Sequence, residues 1–224
     1  MASQNLPHSV AVEDYAKAIY QLQRDSRAAV STTMLAERLG ITAGSVSAMT
    51  KRLAEMGLVA HEPYRGVQLT DSGERVALEV IRHHRLLELF LAEVLEVPWD
   101  RVHGEAEVLE HVLSEDLERL IAAKLGDPSH DPHGDPIPTA ELIIEEPDTV
   151  PLESLAPGDN GHLVSISDSD PEMLRYLAGR GIAPGDTFTV VERQPFGGPL
   201  LVSFGGDKIA IGGALARAMR VETV

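Results

Sequence analysis

The sequence has no cysteine among its 224 residues. Disulfides are therefore excluded, and any metal site must draw on nitrogen and oxygen donors. It also lacks a long apolar run. The most apolar stretch, Leu86 to Leu95, is broken by Glu88 and Glu93 and is too short to span a bilayer. Met1 to Val12 contains no basic segment followed by an apolar one, so no signal peptide is expected and the expected compartment is the cytosol. Nor is there an excess of positive charge: the net charge is −16, which taken alone speaks against a nucleic-acid partner.

The distribution of charge reverses that reading. Residues 1–73 carry seven Lys/Arg and seven Asp/Glu, whereas residues 74–224 carry 12 and 28. A neutral head that can approach a polyanion is followed by an acidic body that can hold cations.

Apolar spacing predicts a helix over 9–23, with Val10, Tyr15, Ala18, Ile19 and Leu22 on one face. A second helix is expected over 33–39, capped by Ser31 or Thr32 and stopped at Gly40. Thr42 caps a third, running through Val46, Met49 and Leu53 to Gly57. Two alternating runs, Leu58–His61 and Val67–Thr70, flank the turn Glu62-Pro63-Tyr64-Arg65-Gly66 and read as a β-hairpin. A long helix over about 72–96 is capped by Asp71 or Ser72, and one further helix is expected over about 99–124. Six Gly and Pro residues between 126 and 138 make that stretch a loop. Residues 161–224 show short apolar alternations separated by Gly and Pro, with one helix near 171–179, the pattern of a small β-barrel. The expected fold is mainly α with a small β component. Its expected divisions are 1–73, 74–145, a linker at 146–160, and 161–224.

Helix, turn, helix, hairpin is the order of a winged helix-turn-helix, whose second helix enters the major groove. The helix at 42–56 has a small, polar N-terminal face: Thr42, Gly44, Ser45 and Ser47. Small residues let a helix sit deep in the groove, and hydroxyls can bond phosphates or base edges. Lys51 and Arg52 follow as phosphate partners, and Arg65 stands at the tip of the wing. The plain alternative is an αα-hairpin with a solvated face.

The acidic body carries ligand-type side chains at helical spacing. His84 and Glu88 are four apart and share a face. His103, Glu107 and His111 form one stripe with Glu110 beside it, and Asp14 offers a further carboxylate. Desolvated carboxylates packed together need cations or protons; a solvated acidic face is the other reading. A di-metal oxidase would need Glu-x-x-His on two helices, but the residues three before His84, His103 and His111 are Ile81, Asp100 and Val108. His-Glu-x-x-His is also missing, so no enzymatic activity is expected.

These residues taken together resemble the iron- and manganese-dependent repressors typified by the diphtheria toxin repressor and the manganese transport regulator. The likeness rests on Glu13-Asp14-Tyr15, Tyr64-Arg65-Gly66-Val67, His84-Arg85-Leu86-Leu87-Glu88, the run Val102 to His111, and Gly134-Asp135-Pro136-Ile137-Pro138. It implies a winged-helix domain, a helical metal-binding and dimerisation domain, and a C-terminal SH3-like (FeoA-like) barrel. It implies two metal sites per subunit of a homodimer. The regulatory site would comprise Asp14, Glu107, Glu110 and His111; the ancillary site His84, Glu88 and His103, completed by Asp168 or alternatively Asp170 of the barrel. Asp14 and Glu107 match the manganese-responsive pattern, where iron-responsive members carry Met and Cys, so Mn(II) is the expected metal and Fe(II) its competitor. A Glu of the manganese regulator falls at Lys17, so that protein's two-manganese arrangement is not expected. The implied mechanism is a cation tying the DNA-binding head to the dimer core, which sets the spacing of two recognition helices on palindromic operator DNA and so represses metal-homeostasis genes. The rival from another class is a winged-helix regulator whose barrel senses a non-metal ligand.

Overall fold

The computed structural model describes residues 8–26, 28–62 and 66–224. The chain divides into two compact units: 1–83 with 138–143, and 84–137 with 144–224.

The first unit opens with α1 (Val10–Ser26), α2 (Thr32–Leu39) and α3 (Ala43–Glu55), followed by the antiparallel pair β1 (Val59–Glu62) and β2 (Gly66–Leu69). The caps explain the helix boundaries. Ser31 accepts from the Met34 amide and Thr42 from the Ser45 amide, each satisfying an orphan donor at a helix start. Gly40 closes α2 in the left-handed conformation, φ 65°. Val12, Ile19, Leu35, Val46, Leu53 and Val67 fill one core. Val10, expected on the apolar face, is exposed, and Val12 takes that role. Of the hairpin, residues 63–65 lie outside the described residues, and with them the proposed tip Arg65.

The next helix, α4 (Asp71–Glu93), starts one residue before the expected range and ends three before it. Its start is held by Thr70, whose Oγ1 accepts from the Gly73 amide at 3.2 Å, rather than by Asp71 or Ser72. Residues 71–83 belong to the first unit and 84–93 to the second.

In the second unit the single helix expected over 99–124 is two: α5 (Val102–Leu109) and α6 (Glu115–Leu125). Ser114 is the reason. Its hydroxyl accepts from the Leu117 amide and starts a new helix, with Glu115, Asp116 and Glu118 favourable in the first turn. Leu86, Leu87, Ala106, Ile121 and Ile137 form the core around these helices.

The rest is a six-stranded antiparallel sheet that forms the SH3-like barrel. Its strands are β3 (Val150–Pro151), β4 (Asn160–Ile166), β5 (Thr187–Arg193), β6 (Leu200–Phe204), β7 (Asp207–Ile211) and β8 (Met219–Thr223), in the order β3-β8-β4-β5-β6-β7. A helix, α7 (Pro171–Ala178), and a short one, α8 (Gly213–Ala218), pack on it. The barrel begins inside the stretch expected as linker: β3 pairs with β8, and Leu152 and Leu155 are buried in the barrel core. Among the described residues, no helix is long and apolar enough to cross a membrane.

Candidate metal centre

α4 presents His84 and Glu88 one turn apart, and α5 presents His103 towards them. Nε2 of His84 lies 2.9 Å from Oε1 of Glu88 and 3.1 Å from Nδ1 of His103, and the His103 nitrogen is 3.2 Å from the same Glu88 oxygen. Three donor atoms are therefore mutually about 3 Å apart. Cis ligands of a divalent cation bound at about 2.1 Å have this separation. Asp168, just beyond β4, brings Oδ2 to 2.9 Å from His103 Nδ1. One ligand atom from each of the four residues falls within 4.8 Å of the others. The alternative barrel residue, Asp170, is used differently: its Oδ1 caps α7 by accepting from the Glu172 amide at 2.9 Å.

The cluster is dry on the α4 side. Glu88 is fully buried and His84 is 5% exposed. Without a cation, protons hold it together. Asp168 first and Glu88 next raise the pKa of His103 to about 10, against the downward push of burial. Burial raises the pKa of Glu88 in turn, but His103, His133 and His84 outweigh it and hold the carboxyl well below its usual range. These are the signatures of a site where a cation can displace protons.

Nδ1 of His84 donates to Oε2 of Glu110, the buried residue that ends α5. Such a carboxylate–imidazole pair fixes the ring orientation, so that Nε2 faces the cluster and would offer its lone pair once a cation replaces the proton shared with Glu88. The other oxygen of Glu110 lies 3.4 Å from His111 Nε2. Oε1 of Glu107 lies 3.8 Å from both His84 Nδ1 and His103 Nε2. Because α5 ends at Leu109, His111 stands on the turn beyond the helix rather than on one continuous stripe. Asp14 is on α1, in the first unit.

The sequence reading missed Asp131 and His133. They sit in the Pro/Gly-rich loop, where no periodicity marks them. The loop is pinned from several sides: Arg85 donates to the Pro136 carbonyl, His133 Nε2 to the Trp99 carbonyl at 2.9 Å, and the Ile166 amide to the His133 carbonyl at 3.0 Å. Gly134 has φ 89°, and a Cβ there would stand 2.0 Å from the Val164 carbonyl oxygen, so only glycine fits. As a result Asp131, His133 and Glu88 form a second group of three buried ligand-type side chains.

On the DNA-type face, Gly44, Ser45, Ser47, Lys51 and Arg52 of α3 are all exposed, as is Thr42. Three hydroxyls are occupied locally: Thr42 Oγ1 caps the helix and lies 2.9 Å from Ser45 Oγ, and Ser47 donates to the Ala43 carbonyl. Lys51 lies 3.9 Å from Glu55, an exposed pair of little energetic weight.

The comparisons with known proteins match this architecture. Residues 9–67 match the family model described as the iron dependent repressor N-terminal DNA binding domain. Residues 70–139 match the metal binding and dimerisation domain of the same repressors, and residues 150–223 match the FeoA domain. The iron-dependent repressor IdeR of Mycobacterium tuberculosis is 32% identical over 224 residues, covering 95% of this chain and 96% of its own length. The diphtheria toxin repressor of Corynebacterium glutamicum is 31% identical over 222 residues, with 95% and 96% covered. Among solved structures, a manganese-dependent transcriptional repressor in complex with manganese is 45% identical, with a TM-score of 0.89 and coverage of 95% of this chain and all of that one. The manganese regulator SloR is 30% identical with a TM-score of 0.76, covering 95% and 98%. The chain belongs to the iron-dependent repressor family.

Proposed function

We propose that this protein is a repressor activated by Mn(II), binding palindromic operator DNA as a homodimer in the cytoplasm. The observation that carries the metal reading is the convergence of His84 Nε2, Glu88 Oε1, His103 Nδ1 and Asp168 Oδ2 on one small volume, with a second carboxylate orienting His84. These four residues are assigned to the ancillary cation. The regulatory cation is assigned, on the residue pattern, to Asp14, Glu107, Glu110 and His111. Both sets offer only carboxylate oxygen and imidazole nitrogen. Hard donors suit Mn(II), whereas a thiolate or thioether favours softer or later metals. Manganese is also in the name of the 45% identical structure. Fe(II) is the second reading, favoured by the names of the 31–32% identical relatives. Those names speak of metals, and they do not favour a barrel that senses a non-metal ligand.

Two features support the partners. Val108 and Val112 by α5 and Leu117 and Leu120 by α6 are 49–75% exposed, an apolar face of the kind that a second copy covers, within the segment matching a dimerisation domain. The exposed small-residue face of α3, followed by Lys51 and Arg52, suits insertion in a major groove. Metal and operator then stabilise each other reciprocally, by about 1–3 kcal/mol for coupling of ordinary size. A gel-shift assay tests the reading. Mn(II) should support retention of operator DNA, chelator should abolish it, and added Mn(II) should restore it. Unchanged retention in chelator would remove the metal from the mechanism.

A further inference from the structure

The wing is not held by its own hairpin alone. On the side of β2 away from β1, the Val67 amide donates to the Val30 carbonyl and the Val30 amide to the Val67 carbonyl, both at 2.9 Å. Backbone groups alternate in direction along a strand, so the Leu69 amide, two residues on, faces this same side. The bridge to Val30 is a single pair and does not reach it. A backbone donor left bare there would cost about as much as a lost hydrogen bond. Gln23, near the end of α1, meets the need: its Oε1 accepts from the Leu69 amide at 3.0 Å. A side-chain amide thus stands where the next main-chain carbonyl would be, and it ties β2 to α1.

Two residues earlier on the same helix, Gln21 makes the matching link to the first helix of the helix-turn-helix. Its Oε1 accepts from the Arg38 guanidinium of α2 at 2.7 Å. Positions 21 and 23 lie roughly 200° apart round a helix. The end of α1 is therefore gripped from opposite sides, by α2 and by the wing. Asp14, to which the regulatory cation is assigned, is on the same helix, about 13 Å back along its axis.

We infer that Gln23 is a positioning residue for operator binding. Through the Leu69 amide it makes the wing move with α1, so that a cation on Asp14 orients the wing together with the helices. The role needs no contact between Gln23 and either metal or DNA. The inference rests on the reading that the regulatory cation binds Asp14.

The test uses the intact protein and a DNA duplex selected from random sequence by the Mn(II)-loaded wild-type chain. Gln23→Leu and Gln23→Ala remove the acceptor with and without the bulk of the side chain, and Gln23→Glu keeps an oxygen for the Leu69 amide. Equilibrium dialysis gives the Mn(II) affinity with and without the duplex, and anisotropy gives the DNA affinity in Mn(II). In the wild type the duplex should raise the Mn(II) affinity, because coupling is reciprocal. The first two variants should keep the DNA-free Mn(II) affinity. Their enhancement by the duplex, and their DNA affinity with it, should fall about two- to tenfold, the scale of one lost hydrogen bond. Gln23→Glu should restore both. The loss should also vanish in an Arg65→Ala background, since both changes act on the wing. An enhancement unaltered in the first two variants, a loss that Gln23→Glu does not restore, or losses that multiply with Arg65→Ala overturns the role of Gln23 and leaves the metal reading standing. A duplex that leaves the wild-type Mn(II) affinity unchanged overturns the metal reading, and the inference with it.

Discussion

His84 and Glu110 are joined by a hydrogen bond from the imidazole Nδ1 to the carboxylate Oε2. One belongs to the ligand set assigned to the ancillary cation and the other to the regulatory set, so the two sites share a proton-bearing link. On that assignment, cation binding at either would change the charge that the other feels.

Glu110→Gln tests that link. The change keeps the shape and removes the charge. Affinity for Mn(II) should fall at both sites, by about 10- to 100-fold at the ancillary one, the usual cost of losing a ligand's supporting carboxylate. Isothermal titration resolves the two classes. An ancillary class with wild-type affinity would show that the bond carries no coupling.

The pH dependence follows from His103 and His133. His103 is raised to about 10 by Asp168 and Glu88. For His133, burial pushes down but the Glu88 carboxylate lifts it to about 9. A histidine whose folded pKa exceeds the unfolded value contributes stability that is complete below about 6.5 and is lost as pH rises through the folded pKa. In chelator, the melting temperature should therefore fall between about pH 6.5 and 10. Mn(II) replaces the protons, so its affinity should rise with pH and its uptake should release protons. Calorimetry in two buffers of different ionisation enthalpy reads that release. A melting temperature flat over this range in chelator, with no proton release, contradicts the assignment.

The DNA face separates affinity from discrimination. Lys51→Ala or Arg52→Ala should weaken binding alike across sequences and reduce the log–log salt slope by about one; Arg65→Ala should do the same if the wing tip meets phosphate. Thr42→Ala has a distinct expectation because its hydroxyl caps α3: loss of about 1 kcal/mol of stability, together with altered choice among operators. Salt-dependent anisotropy titrations and urea melts distinguish these effects. Wild-type salt slopes in all three basic variants would place the DNA elsewhere.

Metal preference is predicted to lie in Asp14 and Glu107. Asp14→Met combined with Glu107→Cys supplies softer donors and should raise the response to Fe(II) relative to Mn(II). Anaerobic DNA binding titrated with each metal gives the ratio for both proteins. A ratio unchanged by the double substitution would move the selectivity to other residues.

Local signals made most of the fold legible. Ser31, Gly40 and Thr42 mark helix ends by chemistry that acts within a few residues, and the winged helix followed from them. The break between α5 and α6 was missed although Ser114 carries a cap signal, because the apolar period on either side of it stays nearly in phase. The barrel's first strand was missed because Val150-Pro151 is only two residues long and lies in an acidic, Pro-rich stretch. The same contrast governs the site. His84, Glu88, His103 and Glu107 could be read from helical spacing. Asp168 came only through the family likeness. Asp131 and His133 had no signal, since their place beside Glu88 depends on a loop folded against another strand and on the carbonyl of Trp99.

That last contact gives the molecule a built-in optical probe. Trp99 is the sole tryptophan, and its ring stacks on His133 with centroids 5.7 Å apart. A charged imidazole quenches an adjacent indole, and a paramagnetic ion nearby quenches it by another route. Every change in the protonation of His133 is therefore written into the intrinsic emission of the unlabelled chain, and the loss of its proton as the pH rises can be followed in real time.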